Sequence, residues 1–147
     1  MGLEASYFER GASEERTGMD WVPESSRRSR VLALYALFRA LGREGIADIV
    51  RRNCALARRM AQHLSATSGV RILNEVVLNQ VLVRFKDDET TRDVIARVQA
   101  DGTCWAGGAR WQGQQAMRIS VSNWSTTEAD IDRSAKAILQ AFRGVRL

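Results

Sequence analysis

Arg118 has the side chain in this 147-residue sequence that is best placed to bind a ligand. The run AMRISVS (116–122) alternates apolar and polar residues as a strand does, so Met117, Ile119 and Val121 face one side and Arg118 faces the other. A guanidinium forms a planar fork that fits a carboxylate with two hydrogen bonds, and a strand fixes its direction. The same periodicity also suits an arginine that points into solvent, so the pattern alone leaves both interpretations open.

Four aromatic residues are further candidates. Tyr7 carries a phenol within a charged stretch, and Trp105, Trp111 and Trp124 surround a pair of glycines at 107–108. Each has an ordinary explanation as well: a lone tyrosine in a loop, and core and edge aromatics that fill a small domain.

The sequence lacks the motifs of a self-sufficient catalytic centre. GxSxG, Walker A, GxGxxG and HExxH are all missing. Cys54 and Cys104 have no metal-ligand spacing, and His63 stands alone on a predicted helix, where it is expected to be a surface residue. We therefore predict no metal site.

Composition indicates one globular domain, because hydrophobic residues make up 45% and charged residues 27% of the chain. A net charge of +5 raises the possibility of nucleic-acid binding, but the arginines are scattered among acidic residues, so we expect no nucleic-acid partner. Apolar runs stay shorter than the roughly 18 residues of a membrane span, and no signal peptide is evident. The expectation is a soluble cytoplasmic protein without a membrane partner.

Residues 1–24 read as an irregular lead segment, whereas 25–147 read as one domain. Helices are predicted from Ser25 or Ser26 to Gly42, from Gly45 to about Ser65, from Thr90 or Thr91 to Asp101, and from 126–130 to Gly144. Strands are predicted at 70–73, 79–85 and 116–122, and 103–111 reads as an extended segment broken at the glycine pair 107–108. This order predicts an α+β domain whose small, mostly antiparallel sheet is covered by helices on one face. The first helix is apolar around much of its circumference.

Five segments together resemble the C-terminal portion of the group II pyridoxal-phosphate-dependent amino-acid decarboxylases, such as the aromatic-amino-acid and glutamate decarboxylases. They are SYFERG (6–11), residues 20–53 around ESSRRSR, VVLNQVLVRF (76–85), residues 101–132 around AMRISVSNWSTT, and the helix that follows. The similarity covers nearly the whole chain. It implies the C-terminal small domain of a fold type I pyridoxal-phosphate enzyme, and hence a carboxy-lyase.

The resemblance also implies roles for individual residues. Arg118 matches the arginine that binds the substrate carboxylate, and Tyr7 matches a tyrosine in a catalytic loop that donates a proton in a dimer-related active site. Ser26 and Arg27 fall where the family approaches the cofactor phosphate. In the complete enzyme the resemblance implies pyridoxal phosphate, an amino-acid substrate and a homodimer.

The family's cofactor-binding lysine, which follows a histidine, has no counterpart here. Lys86 and Lys136 are the lysines of the chain, and neither has a neighbouring histidine. We therefore expect that the large cofactor-binding domain is absent, that the cofactor is not bound covalently, and that the chain is inactive alone. The alternative from another class is a standalone interaction module that dimerises through the apolar first helix.

Overall fold

The structure is a computed structural model that describes residues 29–145, without the side chain of Arg30. The chain divides into two compact units, residues 1–39 and 40–147. The boundary predicted between residues 24 and 25 lies outside the described residues and stays a prediction. The elements are α1 (Arg30–Ser65), β1 (Val70–Ile72), β2 (Gln80–Phe85), α2 (Asp88–Asp101), β3 (Gly107–Trp111), β4 (Gln114–Ser120) and α3 (Glu128–Gly144).

Gly42 interrupts α1, which confirms the predicted end of a first helix at this residue. Its backbone has φ 60° and ψ −173°, a conformation that residues with a side chain rarely adopt. None of the described helices is long and apolar enough to cross a bilayer.

The four strands form one sheet in the order β1-β2-β4-β3, and every neighbouring pair is antiparallel. β4 is therefore a central strand: Arg118 pairs with Leu82 of β2 on one side and with Gly107 of β3 on the other. The predicted α+β class is confirmed.

One face of this sheet carries the hydrophobic core. Val81, Val83 and Phe85 of β2 alternate onto it, and Met117 and Ile119 of β4 lie beside them. The three helices contribute most of the rest of the core: Leu56, Ala57, Met60, Leu64, Val94, Ile95, Val98, Ile131, Ala135, Ile138 and Phe142. The other side of the sheet, which we call the open face, contains Arg118.

Helix α2 begins earlier than predicted. Its N-cap is Asp87, whose carboxylate accepts the backbone N–H of Thr90 at 2.8 Å, so the prediction of Thr90 or Thr91 as the cap is wrong. The Thr91 hydroxyl is buried instead, where it donates to the carbonyl oxygen of Asp87, lies 3.1 Å from that of Phe85 and accepts the Phe85 N–H. The start of α3 is as predicted, because Thr127 and Asp130 form a reciprocal capping box.

Arg59 links α1 to α3. Its Nε and Nη2 donate to the two carboxylate oxygens of Asp132 at 2.7 and 2.9 Å, and its Nη1 lies 3.0 Å from Glu128. His63 is half-exposed, as expected for a surface residue, and its Nε2 lies 2.9 Å from Asp132. The hydrogen bonds from Arg59 lower the pKa of Asp132, because they stabilise the ionised carboxylate.

Candidate functional site

Arg118 is exposed on the open face at the middle of the sheet. Its side chain forms no ion pair or hydrogen bond with any residue between 29 and 145. The strands on both sides fix its backbone, while its guanidinium stays available to a ligand. This is the arrangement that a carboxylate-binding arginine requires.

The space beside Arg118 is open on the β3 side. Gly107 pairs with Arg118, and a Cβ atom added to this glycine would meet no described atom within 4 Å. On the β2 side the neighbour is Leu82, which is partly buried. A small ligand can therefore approach the guanidinium over Gly107.

Arg84 also lies on the open face, but its charge is already neutralised by the carboxylate of Asp88. Its register on β2 brings it diagonal to Arg118, and its Nη1 binds the Asp88 carboxylate and the carbonyl oxygen of Gln115. Its side chain is only 12% exposed. Arg84 holds the pKa of Asp88 below its usual range, helped by the Gln115 N–H. Arg71, opposite Arg84, donates to the Gln114 side chain.

A cavity of about 450 Å³ opens where β4 ends. Its floor consists of core side chains, among them Met60, Ile119 and Ile138, and Trp105 lies at its edge. The remaining lining is mostly polar: Thr103, Cys104, Ser120, Ser122, Asn123, Thr126, Asp130 and Ser134. Burial raises the pKa of the Cys104 thiol, so this side chain is neutral near pH 7.

The tryptophans are not core residues, contrary to one of the interpretations of the sequence. Trp105 is 76% exposed, Trp124 is 73% exposed and Trp111 is 42% exposed. Trp111 shares the face of Arg118 by its register on β3, because it lies four residues after Gly107. The helices cover only the opposite face, so nothing in the described part of the chain buries the Trp111 ring.

A wider cleft of about 720 Å³ lies between α1 and the loop that precedes α3. Arg52 donates to the Trp124 carbonyl oxygen there, and Arg59 is occupied by Asp132 and Glu128. The cleft is on the helical side of the sheet and does not include Arg118.

Neither lysine is suited to hold pyridoxal phosphate. Lys86 and Lys136 are exposed, and neither lines either of these two cavities. A cofactor-binding lysine needs a pocket that positions the cofactor and excludes water. The described residues therefore do not fit a covalently bound cofactor. Tyr7, Ser26 and Arg27 lie outside the described residues, and their roles stay predictions.

Comparison with known proteins identifies a family. Residues 2–86 match the pyridoxal-dependent decarboxylase conserved domain. The 3,4-dihydroxyphenylacetaldehyde synthase of Drosophila melanogaster is 30% identical over 113 residues, which cover 76% of this chain and 22% of that protein. The 4-hydroxyphenylacetaldehyde synthase of Rhodiola rosea is 23% identical over 157 residues, which cover 99% of this chain and 31% of that protein. The chain thus spans between a fifth and a third of these relatives.

Solved structures share the fold. Catharanthus roseus tryptophan decarboxylase in complex with L-tryptophan superimposes with a TM-score of 0.75 at 19% identity, covering 86% of this chain and 29% of that one. Mouse CSAD superimposes with a TM-score of 0.72 at 19% identity, covering 83% and 29%. These matches are consistent with the C-terminal domain of a fold type I pyridoxal-phosphate enzyme.

Proposed function

Because the chain belongs to the pyridoxal-dependent decarboxylase family, we propose that its open face supplies a carboxylate clamp to a cofactor site that a separate large domain builds. One observation carries this proposal: Arg118 is held at the centre of an ordered sheet, is exposed, and has no acidic partner among the described residues. An arginine spared from local pairing in this way is available for a substrate anion.

The chemistry of decarboxylation explains why such a clamp is useful. Bound pyridoxal phosphate supplies the electron sink in this family. The protein must orient the carboxylate that leaves and deliver a proton to the carbon left behind. In this proposal Arg118 orients the carboxylate, and Tyr7 holds the proton on its phenol. Ser26 and Arg27 approach the cofactor phosphate, with homodimerisation bringing these segments to the site.

Carboxylate binding by the chain itself tests the clamp. A charge-assisted, bidentate hydrogen bond contributes about 1.5–3 kcal/mol, so acetate is expected to bind with a Kd on the order of 10–100 mM. The NMR signal of the Arg118 Nε–H should shift saturably with acetate and not with chloride at equal ionic strength. If acetate shifts the NMR signals of other arginines and leaves that of Arg118 unchanged, the proposal is contradicted.

We also propose that the chain alone neither binds pyridoxal phosphate covalently nor decarboxylates amino acids. The exposure of Lys86 and Lys136 outside the two cavities supports this. Mixing the purified chain with the cofactor is expected to give the absorbance spectrum of the free aldehyde, with no band of a lysine-bound form. A stable band that disappears in Lys86→Ala or Lys136→Ala would overturn the proposed inactivity.

A dimerising interaction module is the second candidate function. It is supported by the apolar side chains that the first part of α1 leaves exposed: Val31, Leu32, Leu34, Tyr35, Leu37, Phe38 and Leu41. Contiguous apolar surface of this kind is typical of an interface. Sedimentation velocity at several concentrations is expected to show association that Leu34→Glu weakens. A compact monomer at every concentration would exclude self-association, while leaving the carboxylate clamp unaffected.

A further inference from the structure

We infer that the cavity at the end of β4 binds a neutral cyclic polyol of the size of a monosaccharide, and that the Trp105 ring packs against one face of this ligand. The cavity has a volume of about 450 Å³, and small-molecule sites typically have about 300–1,000 Å³. No described arginine lines it, and Arg118 is not part of it. This site is therefore separate from the proposed carboxylate clamp.

The polar lining of the cavity has no net charge to attract an ion. Asp130 is the one charged side chain among the described residues that line it. Its Oδ2 accepts the N–H and the hydroxyl of Thr127 at 2.9 and 2.7 Å, and its Oδ1 binds the guanidinium of Arg133. These donors lower the pKa of Asp130, so the carboxylate is ionised and its charge is balanced by Arg133. An ion in the cavity would lose its hydration without gaining a counter-charge, which favours a neutral ligand.

Hydroxyl groups make up most of the polar lining. Thr103, Ser120, Ser122 and Thr126 line the cavity, and none of their hydroxyls forms a hydrogen bond with a residue between 29 and 145. Each of these groups can donate one hydrogen bond and accept two. The hydroxyls of a polyol have the same capacity, so the two sets can pair with either partner as the donor.

Asn123 adds a donor whose direction is fixed by its own loop. Its side chain lines the cavity, and its Oδ1 accepts the N–H and the hydroxyl of Ser125, both at 3.0 Å. The amide nitrogen of the same side chain donates to no described residue. It is therefore available to an oxygen atom of the ligand.

The floor and one edge of the cavity are apolar. Met60, Ile119 and Ile138 contribute to the floor, and the edge is formed by Trp105, which is 76% exposed. A cyclic polyol has C–H groups on its faces and hydroxyls around its edge, so it can lie on apolar side chains while its edge meets a polar lining. The exposed indole offers a flat apolar surface to the C–H face of such a ring.

Titration of the full chain with D-glucose and with myo-inositol tests the site. The NMR signal of the Trp105 indole N–H is expected to shift saturably with at least one of them, with a Kd on the order of 1–10 mM for a ligand of this size. Cyclohexanol keeps the ring but has a single hydroxyl, and D-glucuronate keeps the hydroxyls but adds a charge. Both are expected to bind at least about 5-fold more weakly than the polyol.

Three variants show which side chains hold the polyol. Trp105→Ala is expected to weaken its binding about 2- to 10-fold, and Ser122→Ala by a similar factor, because each removes one contact with the ligand. The backbone amide signal of Asn123 reports binding in these variants. Trp124→Ala removes an equally exposed ring that lines the other cleft and should leave the affinity unchanged. All three residues are exposed, and unchanged amide spectra of the unliganded variants would confirm that they fold.

The possible results separate this site from the clamp. The absence of a saturable shift with both polyols up to about 100 mM would overturn the polyol site. Equal or tighter binding of cyclohexanol or D-glucuronate would overturn it too, as would an affinity that Trp105→Ala leaves unchanged. Arg118→Gln should abolish the acetate shift and leave polyol binding intact, so each site can fail without the other.

Discussion

Lysine in place of the arginine that corresponds to Arg118 is expected to lower kcat/KM of a complete family enzyme by about 10- to 100-fold. Losing one hydrogen bond to a charged group costs roughly 1.5–3 kcal/mol, and each 1.36 kcal/mol changes a rate tenfold. Lysine keeps the charge but loses the planar fork, so the carboxylate is attracted without being oriented.

The folded state provides the control for this substitution. Arg118 is exposed and has no described ion pair, so the lysine variant should unfold at nearly the same temperature as the parent. Steady-state kinetics and thermal unfolding of the same preparations measure both effects. Unchanged kcat/KM would remove Arg118 from the site, and a large loss of thermal stability would show a structural role instead.

Local periodicity is the reason why much of this arrangement was predictable. The alternation of AMRISVS put Arg118 opposite Met117, Ile119 and Val121, and the structure confirms these faces. The Thr127–Asp130 capping box is likewise encoded within four residues. Sequence patterns of this kind depend on residues that are neighbours along the chain. They therefore predict the same local structure whichever element packs against it.

Features that depend on strand pairing were not predictable in the same way. The pairing of Arg118 with Leu82 and Gly107 joins three distant segments, and nothing local specifies that register. Of the interpretation as core and edge aromatics, the core part was wrong, because the face that the helices cover is a tertiary property, whereas Trp111 does lie on the edge strand β3. In WAGGARW (105–111) large and small residues do not alternate, so this run carried no local signal for the exposure of Trp105 and Trp111.

Arg118 also stays available because several acidic side chains are already bound to hydrogen-bond donors close to them. Asp87 and Asp130 accept hydrogen bonds at helix starts, Asp88 binds Arg84, and Asp132 binds Arg59. Each of these carboxyl groups has a lowered pKa, because each is stabilised in its ionised form by its own donors. Arg118 lies across from an aliphatic side chain and a glycine, so the strands beside it offer no competing anion.

Phe85→Ala is expected to have the largest effect on folding, with a loss of about 3–5 kcal/mol in the free energy of unfolding. Phe85 is fully buried, and its ring centroid lies 5.1 Å from that of Phe142 on α3. Its backbone N–H donates to the Thr91 hydroxyl of α2. The substitution thus leaves a cavity where the sheet meets two helices, and the surrounding side chains can fill it only in part.

Chemical denaturation measures this loss, and Trp105→Ala is the matched control because it removes an even larger ring from the surface. Surface substitutions usually change stability by no more than about 0.5 kcal/mol, so the control should unfold like the parent. Domains of this size are stable by only about 5–15 kcal/mol, and Phe85→Ala therefore removes a large share of the total. Similar losses from the two variants would mean that the Trp105 ring is buried in solution, which would contradict its exposure in the structure.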